Sequence, residues 1–486
     1  MSLAKIFNFK GCKKLMTYPQ THFVIYDSNE NLLSKYKIPL ILLFAIHVVF
    51  CLLLDHPSKG MSVYPRSQQK TSYKCPFAIQ LGHSSRHPTK IKIKGVKVGN
   101  FPEYIEKVYS YNLTYPTPRD KLFYGFWENA RNLRYKGYFA KPALMPKYGE
   151  KDFIDFYTNF RGKLAIFKNA YACGSGEFVI DNYTIHPPYD SGPDFVRYHD
   201  EGPIVHYCEK ACVFGHYYLL SYGHFVVDYM IPLMLVPKDY LKDCVVIVNA
   251  WSKRFAQEFF NAVGVTRFIF VRHTEWVFAK QLAVAIDGRP HYSHFGLPLQ
   301  WLVEKLSDYY DLDEVVPRRY VIVNRPYNKK GFRHLKNLNE ILQAVSVNIP
   351  NFEYELVTDH IGSVYQYAKE YSDIKFLFTC AGSNIQKAIF MKPGTVIFQA
   401  ACDMFDIAAF LSPLSLGIAT TVVMNPYNHF NTTYTCDVTL AVEAIKASLY
   451  FLENKRWPDP IRNHTFIDYD LEFMESKKRN MQSQSV

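Results

Sequence analysis

A histidine and an aspartate four residues apart are the first candidates for chemistry in this chain. His224 and Asp228 lie in residues 221–234, whose apolar spacing predicts a helix after Gly223. Side chains at positions i and i+4 of a helix share one face. An imidazole beside a carboxylate forms a general base, or a base with the partner that orients it. The pair therefore predicts a proton acceptor, with a hydrogen-bonded core histidine as the alternative.

Two arginines form a second group of candidates. Arg325 comes directly after a predicted buried strand over 319–324, and Arg333 follows in the same polar stretch. Ligands of open α/β sheets bind beyond the carboxyl ends of the strands. Guanidinium groups form paired hydrogen bonds with phosphate. The arginines therefore predict a pyrophosphate site, with surface salt bridges as the alternative.

A glycine turn inside residues 376–399 is the third candidate. An apolar run reads as a strand, Gly382, Ser383 and Asn384 form the turn, and a helix and a second strand follow. A helix that starts after such a turn presents backbone N–H groups to a phosphate. The unit predicts a nucleotide contact, with an ordinary parallel-sheet repeat as the alternative.

Two patterns resemble metal sites. Two histidines and two cysteines within 206–216 have a spacing similar to that of zinc ligands, but disulfides are the better interpretation in an oxidising compartment. Acidic triplets begin at Asp311 and Asp468, yet neither follows a strand of a nucleotide-binding unit. We therefore expect no metal and no cofactor.

An alternating series of strands and helices must position these residues. The alternation begins near residue 244 and starts again at residue 319, which predicts parallel sheets in an α/β fold. Two such series indicate two Rossmann-like lobes that face a cleft. The expected segments are an acceptor-side lobe over 86–297, an interlobe helix over 298–317, a donor-side lobe over 318–436, and a C-terminal helix and tail over 437–486.

The composition indicates a globular protein without a nucleic-acid partner. Of the 486 residues, 48% are hydrophobic and 16% aromatic, which is typical of a folded chain. The net charge of +12 is spread along the sequence, and no basic run is interleaved with aromatic residues. We therefore exclude nucleic acid as a partner.

The N-terminal region predicts a membrane anchor. Residues 38–54 contain no Asp, Glu, Lys or Arg, and their length meets the lower limit for a spanning helix. Lysines dominate the charges before this segment, so residues 1–37 are expected to stay in the cytosol. Residues 55–85 are polar, with Pro and Gly, and read as a stem that leads to a luminal body.

Two features favour this luminal placement. Eight cysteines follow the predicted span, an even number that suits disulfides in an oxidising lumen. Four N-glycosylation sequons begin at Asn112, Asn182, Asn431 and Asn463. The combination predicts a single-pass type II protein of the Golgi or endoplasmic reticulum membrane.

Taken together, three blocks resemble the family-61 glycosyltransferases, which include plant xylan xylosyl- and arabinosyltransferases and animal O-linked N-acetylglucosaminyltransferases. The order and spacing of the blocks over about 220–400 carry the resemblance. The blocks are Gly223-His224-Phe225-x-x-Asp228 with Pro232 and Met234; Asn324-Arg325 with Arg333, Asn337, Glu340 and Ile341; and Gly382-Ser383 with Ile385, Phe390-Met391, Pro393-Gly394 and Val396, running on to Gln399.

The resemblance implies a GT-B fold and inverting transfer from a nucleotide sugar without an essential metal. It makes Asp228 or His224 the base that deprotonates the acceptor hydroxyl. The residues it implies around this base are Tyr222 and Gly223 beside it, Arg325 and Arg333 on the pyrophosphate, Gly382, Ser383, Asn384 and Gln399 on the donor, and Asn337 and Glu340 as braces of the second lobe.

With this resemblance, the sequence predicts a type II membrane glycosyltransferase of the secretory pathway. Its substrates are a nucleotide sugar of the xylose, arabinose or N-acetylglucosamine type and a hydroxyl of a glycan or protein. Two alternatives remain open. One is an inactive, membrane-anchored glycan-binding protein of the same fold, and the other is a metal-dependent transferase that uses Asp468 and Asp470.

A luminal body predicts N-linked glycans at Asn112 or Asn182. We expect a glycosidase that removes such glycans to increase the gel mobility of the chain made in a eukaryotic host. The double variant Asn112→Gln/Asn182→Gln serves as the control, with a smaller shift. A wild-type chain whose mobility does not change would contradict the luminal placement.

Overall fold

Two large β-sheets, a small two-stranded sheet and the helices packed against them form the described part of this computed structural model. The predicted tail, transmembrane helix and stem lie outside that part, as do all residues after 458. No helix within the described part is long and apolar enough to cross a membrane. The described residues are 88–112, 122–126, 161–186, 201–215, 217–286, 296–327, 333–402, 406–425, 427 and 431–458.

The strands are numbered in chain order. They are β1 (Gly95–Val98), β2 (Ile105–Asn112), β3 (Phe123–Phe126), β4 (Arg161–Cys173), β5 (Phe178–Ile180), β6 (Tyr183–His186), β7 (Ile204–Val213), β8 (Val245–Asn249), β9 (Phe268–Val271), β10 (Trp276–Ala285), β11 (Arg319–Asn324), β12 (His334–Leu335), β13 (Glu355–Thr358), β14 (Ile374–Cys380), β15 (Val396–Ala401), β16 (Ala419–Met424) and β17 (Thr433–Tyr434).

Two helices carry predicted site residues and are named after them. The His224 helix runs through Tyr222–His224, Phe225–Met230 and Ile231–Leu233, and its middle segment is a π-helix. The Gly382 helix is the 3₁₀ helix Ser383–Phe390. The α-helices are α1 (Lys238–Asp243), α2 (Lys253–Val263), α3 (Leu297–Tyr309), α4 (Leu338–Asn348), α5 (Val364–Tyr371), α6 (Ile407–Ser415) and α7 (Val438–Asn454), and short 3₁₀ turns cover Pro102–Tyr104, Tyr217–Leu220 and Ala250–Ser252.

The first sheet is mixed. Its order is β1-β6-β5-β4-β10-β7-β8-β9, with β2 paired to β4. The strands β10, β7, β8 and β9 run parallel, as the strand–helix alternation predicts, whereas β2, β5 and β10 pair with β4 antiparallel. The prediction of a parallel sheet is therefore wrong for this part. The cause is a tight turn after β4, where Gly176 has φ 83 and an added Cβ would lie 2.2 Å from Gly215 O.

The second sheet is entirely parallel. Its order is β13-β11-β14-β15-β16-β3, and every neighbouring pair runs in the same direction. All residues of β15 and β16 are buried, which is typical of strands covered on both faces. The edge strand β3 comes from an earlier part of the chain than its neighbours. The α/β class is confirmed, and the domain bounds stay a prediction.

A continuous apolar core links the two sheets. The same cluster contains Val246 of the first sheet, Val321 of the second, and the His224 helix between them. Within that helix, Phe225 stacks on Tyr229 with ring centroids 5.0 Å apart. The helix α2, which packs in the same core, ends at Gly264 with φ 77. The core therefore fixes the His224 helix from both sides.

The prediction of disulfides is wrong for six cysteines. Most of them lie within buried strands or directly beside them, where a thiol packs as a small apolar side chain. Cys75 lies outside the described residues. The cysteines with free thiols are Cys173, Cys208, Cys212, Cys244, Cys380 and Cys436.

Asn337 provides a test of the second half of the fold. Its side chain donates to Cys436 O at 2.8 Å and accepts from Cys436 N at 3.0 Å, and it is buried. Asn337→Leu leaves both backbone groups without these bonds, at roughly 1–3 kcal/mol for each group. We expect the midpoint of thermal unfolding to fall by several degrees. Asn348→Leu, at the exposed end of the same helix, is the control, and equal midpoints for the two variants would contradict this role.

Candidate functional site

The predicted site residues follow the two central strands of the second sheet. The strand order places β11 directly beside β14, while the chain leaves β11 towards β13 and leaves β14 towards β15. The loops after β11 and β14 therefore diverge and form a crevice at the carboxyl edge, which is where open α/β sheets bind ligands. Arg325 follows β11, and Gly382 follows β14.

Two guanidinium groups meet at Gly382. A Cβ atom on this glycine would lie 2.6 Å from Arg333 Nη2 and 2.8 Å from Arg325 Nη2. The glycine also has φ 132, a conformation that other residues rarely adopt. Glycine is therefore required here on two grounds. The structure brings together the arginine pair and the glycine turn, which lie about 50 residues apart in the sequence.

Asn324 fixes the loop that carries both arginines. Its Oδ1 accepts from Arg325 N at 2.9 Å and from Leu335 N at 3.1 Å, and its Nδ2 donates to Leu335 O at 2.9 Å. Arg333 has φ 64, a left-handed conformation that is uncommon for a non-glycine residue and is often found at functional sites. Its backbone N–H donates to Asn431 O at 2.9 Å. The backbone is thus held where the guanidinium reaches Gly382.

The arginine pair creates a strong local positive charge. Burial and the neighbouring Arg325 lower the pKa of Arg333 to about 10. Both causes oppose a positive charge, yet this pKa keeps the guanidinium protonated at neutral pH. A bound dianion would relieve the repulsion between the two groups and accept hydrogen bonds from them. The geometry therefore suits a diphosphate.

Asp406 is a buried residue of the site that the sequence patterns did not single out. It occupies the N-cap of α6, where its Oδ1 accepts from Ala409 N at 3.3 Å. Burial raises the pKa of its carboxyl, and the charges of Arg333, His224 and Arg325 act in the opposite direction. Its carboxylate therefore lies near both the arginines and the histidine. An N-cap aspartate before the apolar run 407–415 was the available sequence signal.

His224 and Asp228 form the predicted pair. His224 Nδ1 lies 2.9 Å from Asp228 Oδ2. The Asp228 side chain is fully buried, whereas that of His224 is 24% exposed. The two residues bracket the start of the π-helix, a distortion that is frequent at functional sites. The aspartate can therefore hold the imidazole, while the imidazole faces outward.

The His224 helix contacts the Gly382 helix. Tyr222 and Gly223, both buried, lie in the first turn of the His224 helix. The Tyr222 ring lies 5.1 Å from that of Tyr367 on α5, which belongs to the second half of the chain. The histidine pair and the glycine turn are thus on adjoining segments, although they come from different strand series.

The predicted donor contacts after Gly382 have different environments. Ser383 begins the Gly382 helix, which is a 3₁₀ helix rather than the predicted helix over 385–391. Asn384 is buried, and its Nδ2 has no hydrogen-bond partner in the described part of the chain. That amide leaves a donor for a ligand. Gln399 lies inside β15, and its Nε2 donates to Ala409 O at 2.7 Å, so it packs against α6.

Lys387 of the Gly382 helix contacts the segment that follows β13. Its Nζ lies 2.6 Å from Asp359 Oδ1 and 2.7 Å from His360 O. Tyr367 covers the ammonium group at 4.4 Å from its ring centroid. The lysine is therefore satisfied within the protein and holds the helix to the end of β13.

The remaining predicted residues are Glu340 and the four sequon asparagines. Glu340 is exposed in the first turn of α4. Of the sequon residues, Asn112, Asn182 and Asn431 are exposed, and Asn463 lies outside the described residues.

The described residues contain no side-chain cluster that matches the metal-like sequence patterns. No group of three or more His, Cys, Asp or Glu side chains there is arranged to hold a metal. His216 of the zinc-like pattern and the triplet from Asp468 lie outside the described part. Asp313 of the other triplet accepts from Ser307 Oγ at 2.6 Å, next to the end of α3.

The comparison with known families matches this part of the molecule. Residues 222–398 match the family model described as Glycosyltransferase 61, from the start of the His224 helix to the middle of β15. The chain is therefore a glycosyltransferase. This match confirms the resemblance to family 61 that the three blocks indicated. A comparison with curated proteins finds no match.

The low pKa of Arg333 predicts how a lysine would behave at this position. The same burial and the same neighbour would lower the pKa of a lysine below its usual value of about 10.4. Arg333→Lys should therefore bind uridine diphosphate more weakly at pH 9 than at pH 7, because its ammonium loses the proton over this range. Wild-type affinity should change little over that range, since its guanidinium stays charged.

Isothermal titration with uridine diphosphate and with guanosine diphosphate at the two pH values measures this effect. Lys392→Arg, a replacement on the loop after the Gly382 helix, serves as the control and should behave as wild type. Equal affinities of Arg333→Lys at both pH values would contradict the charged contact.

Proposed function

We propose that this chain is an inverting, metal-independent glycosyltransferase of GT-B architecture, anchored as a type II protein in the Golgi or endoplasmic reticulum membrane. Its donor is a nucleotide sugar of the xylose, arabinose or N-acetylglucosamine type. Its acceptor is a hydroxyl of a glycan or protein. The observation that carries the proposal is the convergence of Arg325 and Arg333 on Gly382, beside the helix that bears His224 and Asp228.

The arginine pair supports the donor assignment. A nucleoside diphosphate is a poor leaving group until the charge that develops on its phosphates is stabilised. Arg325 and Arg333 provide two such groups at fixed positions, because Asn324 and the strand-like bonds of Arg333 hold their backbones. This preorganised charge supplies the stabilisation that a divalent cation provides in metal-dependent transferases. Asn384 adds a buried amide donor beside the glycine turn.

The exposure of the histidine pair favours His224 as the base. The Asp228 carboxylate is buried and bonded to Nδ1 of the imidazole, so it can orient the ring, and Nε2 is the atom that takes the proton from the acceptor hydroxyl. His224 removes the proton as the hydroxyl oxygen attacks the anomeric carbon. The bond from that carbon to the diphosphate oxygen breaks, and the nucleoside diphosphate leaves with the electron pair. Attack opposite to the leaving group inverts the anomeric centre.

Asp406 supports the same arrangement through its charge. Its buried carboxylate interacts with the imidazole of His224 as well as with the arginines. It therefore stabilises the imidazolium that forms when His224 accepts the proton. It also reduces the repulsion between the guanidinium groups before the donor binds. This carboxylate is a positioning group, since it is held by the N-terminus of α6.

A donor screen tests the proposed function. The full-length chain, purified in detergent, is incubated with uridine- and guanosine-diphosphate sugars, and release of the nucleotide is measured. We expect turnover of one sugar nucleotide that persists in EDTA. Activity that EDTA abolishes would support a metal-dependent enzyme, and no turnover of any donor would contradict the proposed activity.

Arg325→Ala should reduce kcat/KM for the donor by about 100-fold or more, as expected when a group that stabilises the leaving-group charge is lost. Arg254→Ala, on α2, is the matched control and should retain the wild-type rate. An Arg325→Ala variant with normal turnover would remove this residue from the mechanism.

A further inference from the structure

The first sheet presents a second row of side chains at its carboxyl edge. The parallel strands β7, β8 and β9 end at the same edge, with Val213 paired to Ile247 and Asn249 paired to Val271. The chain after β7 leads to the His224 helix. The chain after β8 leads directly to Trp251, and the chain after β9 leads to His273.

Trp251 is 42% exposed. Among the described tryptophans, Trp276 is fully buried, and Trp301 and Trp457 are partly buried. Exposure of a large apolar ring is unfavourable unless a ligand covers it. An exposed indole at the carboxyl edge of the sheet can offer an apolar face to a ligand.

The indole is held rigidly. Asn249 Oδ1 accepts from Trp251 N at 2.9 Å, which fixes the start of the turn. The ring centroids of Trp251 and His273 lie 5.1 Å apart, at an interplanar angle of 42°. The next residue, Ser252, donates from Oγ to Leu219 O at 2.8 Å, in the segment just before the His224 helix. The ring is therefore tied to the base-bearing helix by one short turn.

A buried amide lies next to this aromatic pair. Asn249 is fully buried, and its Nδ2 has no hydrogen-bond partner in the described part of the chain. Buried donors are almost always satisfied by protein, water or ligand. Asn249 therefore points to a polar partner that the described part of the chain does not supply at this edge.

These groups match the chemistry of a sugar ring. A pyranose has an apolar face of C–H groups and a rim of hydroxyls, so it binds to an aromatic face with polar groups at the side. Trp251 offers the face, and the His273 imidazole offers a hydrogen-bonding rim. The pair therefore favours a neutral saccharide.

We propose that Trp251 and His273 bind a sugar ring of the acceptor glycan, at a distance of one or more residues from the hydroxyl that is attacked. The inference rests on the proposed function, because that function places the donor at the second sheet and the base on the His224 helix. An acceptor must then approach from the first sheet, where this platform lies. The platform fixes the acceptor by a ring other than the reacting one.

Direct binding tests this site apart from catalysis. The full-length chain is titrated with xylohexaose and with chitohexaose, with and without uridine diphosphate, and binding is followed by saturation-transfer NMR. We expect one oligosaccharide to bind and Trp251→Ala to weaken that binding about tenfold or more, the loss typical of an aromatic contact. Trp251→Phe should recover part of the affinity, because it restores an aromatic face.

Two controls distinguish a loss of sugar binding at Trp251 from a general structural defect. Tyr309→Ala removes an aromatic ring that is 50% exposed on α3, and it should bind as wild type. Uridine diphosphate should bind Trp251→Ala with unchanged affinity and the variant should release nucleotide from the donor at the wild-type rate. A parallel loss of donor binding would indicate a structural defect and would overturn the assignment.

Kinetics provides the second readout. With oligosaccharides of one to six residues, KM of the wild type should fall once the chain is long enough to reach the platform, and Trp251→Ala should abolish this dependence on length with kcat unchanged. Failure of both oligosaccharides to bind would overturn the platform. The platform would also be overturned if oligosaccharide binding were insensitive to Trp251. It would likewise be overturned if KM depended on acceptor length only for a serine-rich peptide. Absence of donor turnover, with Trp251-dependent oligosaccharide binding intact, would overturn only the proposed activity.

Discussion

The close approach of two guanidinium groups to one glycine is the constraint on which the site depends. Arg325 and Arg333 both reach Gly382 to within the space that a single methyl group would fill. Like charges this close raise the free energy of the folded state. The structure offsets that repulsion with a buried carboxylate, Asp406, and with backbone bonds that hold the arginine loop. A bound dianion would reduce this repulsion further.

A helix contact places the histidine pair beside the glycine turn. The His224 helix belongs to the first strand series, but it packs on the Gly382 helix of the second. Its π-helical segment brings Asp228 under the imidazole while Phe225 and Tyr229 stay in the core. Buried aromatic packing thus sets the position of a partly exposed histidine. The inferred sugar platform at Trp251 extends this row of functional groups along the first sheet.

Much of the local structure follows from the sequence alone. The 3.6-residue spacing in α2 and the buried runs of β8, β11 and β14 predict these elements near their observed bounds, because periodicity depends only on neighbouring residues. The order of the three blocks likewise indicates the family. The antiparallel strands around β4 were missed, since the hairpin after Cys173 depends on a glycine that packs against Gly215, a residue far along the chain.

What the sequence determined, then, was which segments form strands and helices and which residue types could bind phosphate or remove a proton. Only the tertiary structure decided which of them meet. The strand order brings Arg325 to Gly382, turns Gln399 into a core residue bonded to Ala409, and adds Asp406 to the site. The reason is physical: hydrogen bonding and periodicity are local, whereas strand order depends on how distant apolar faces pack together.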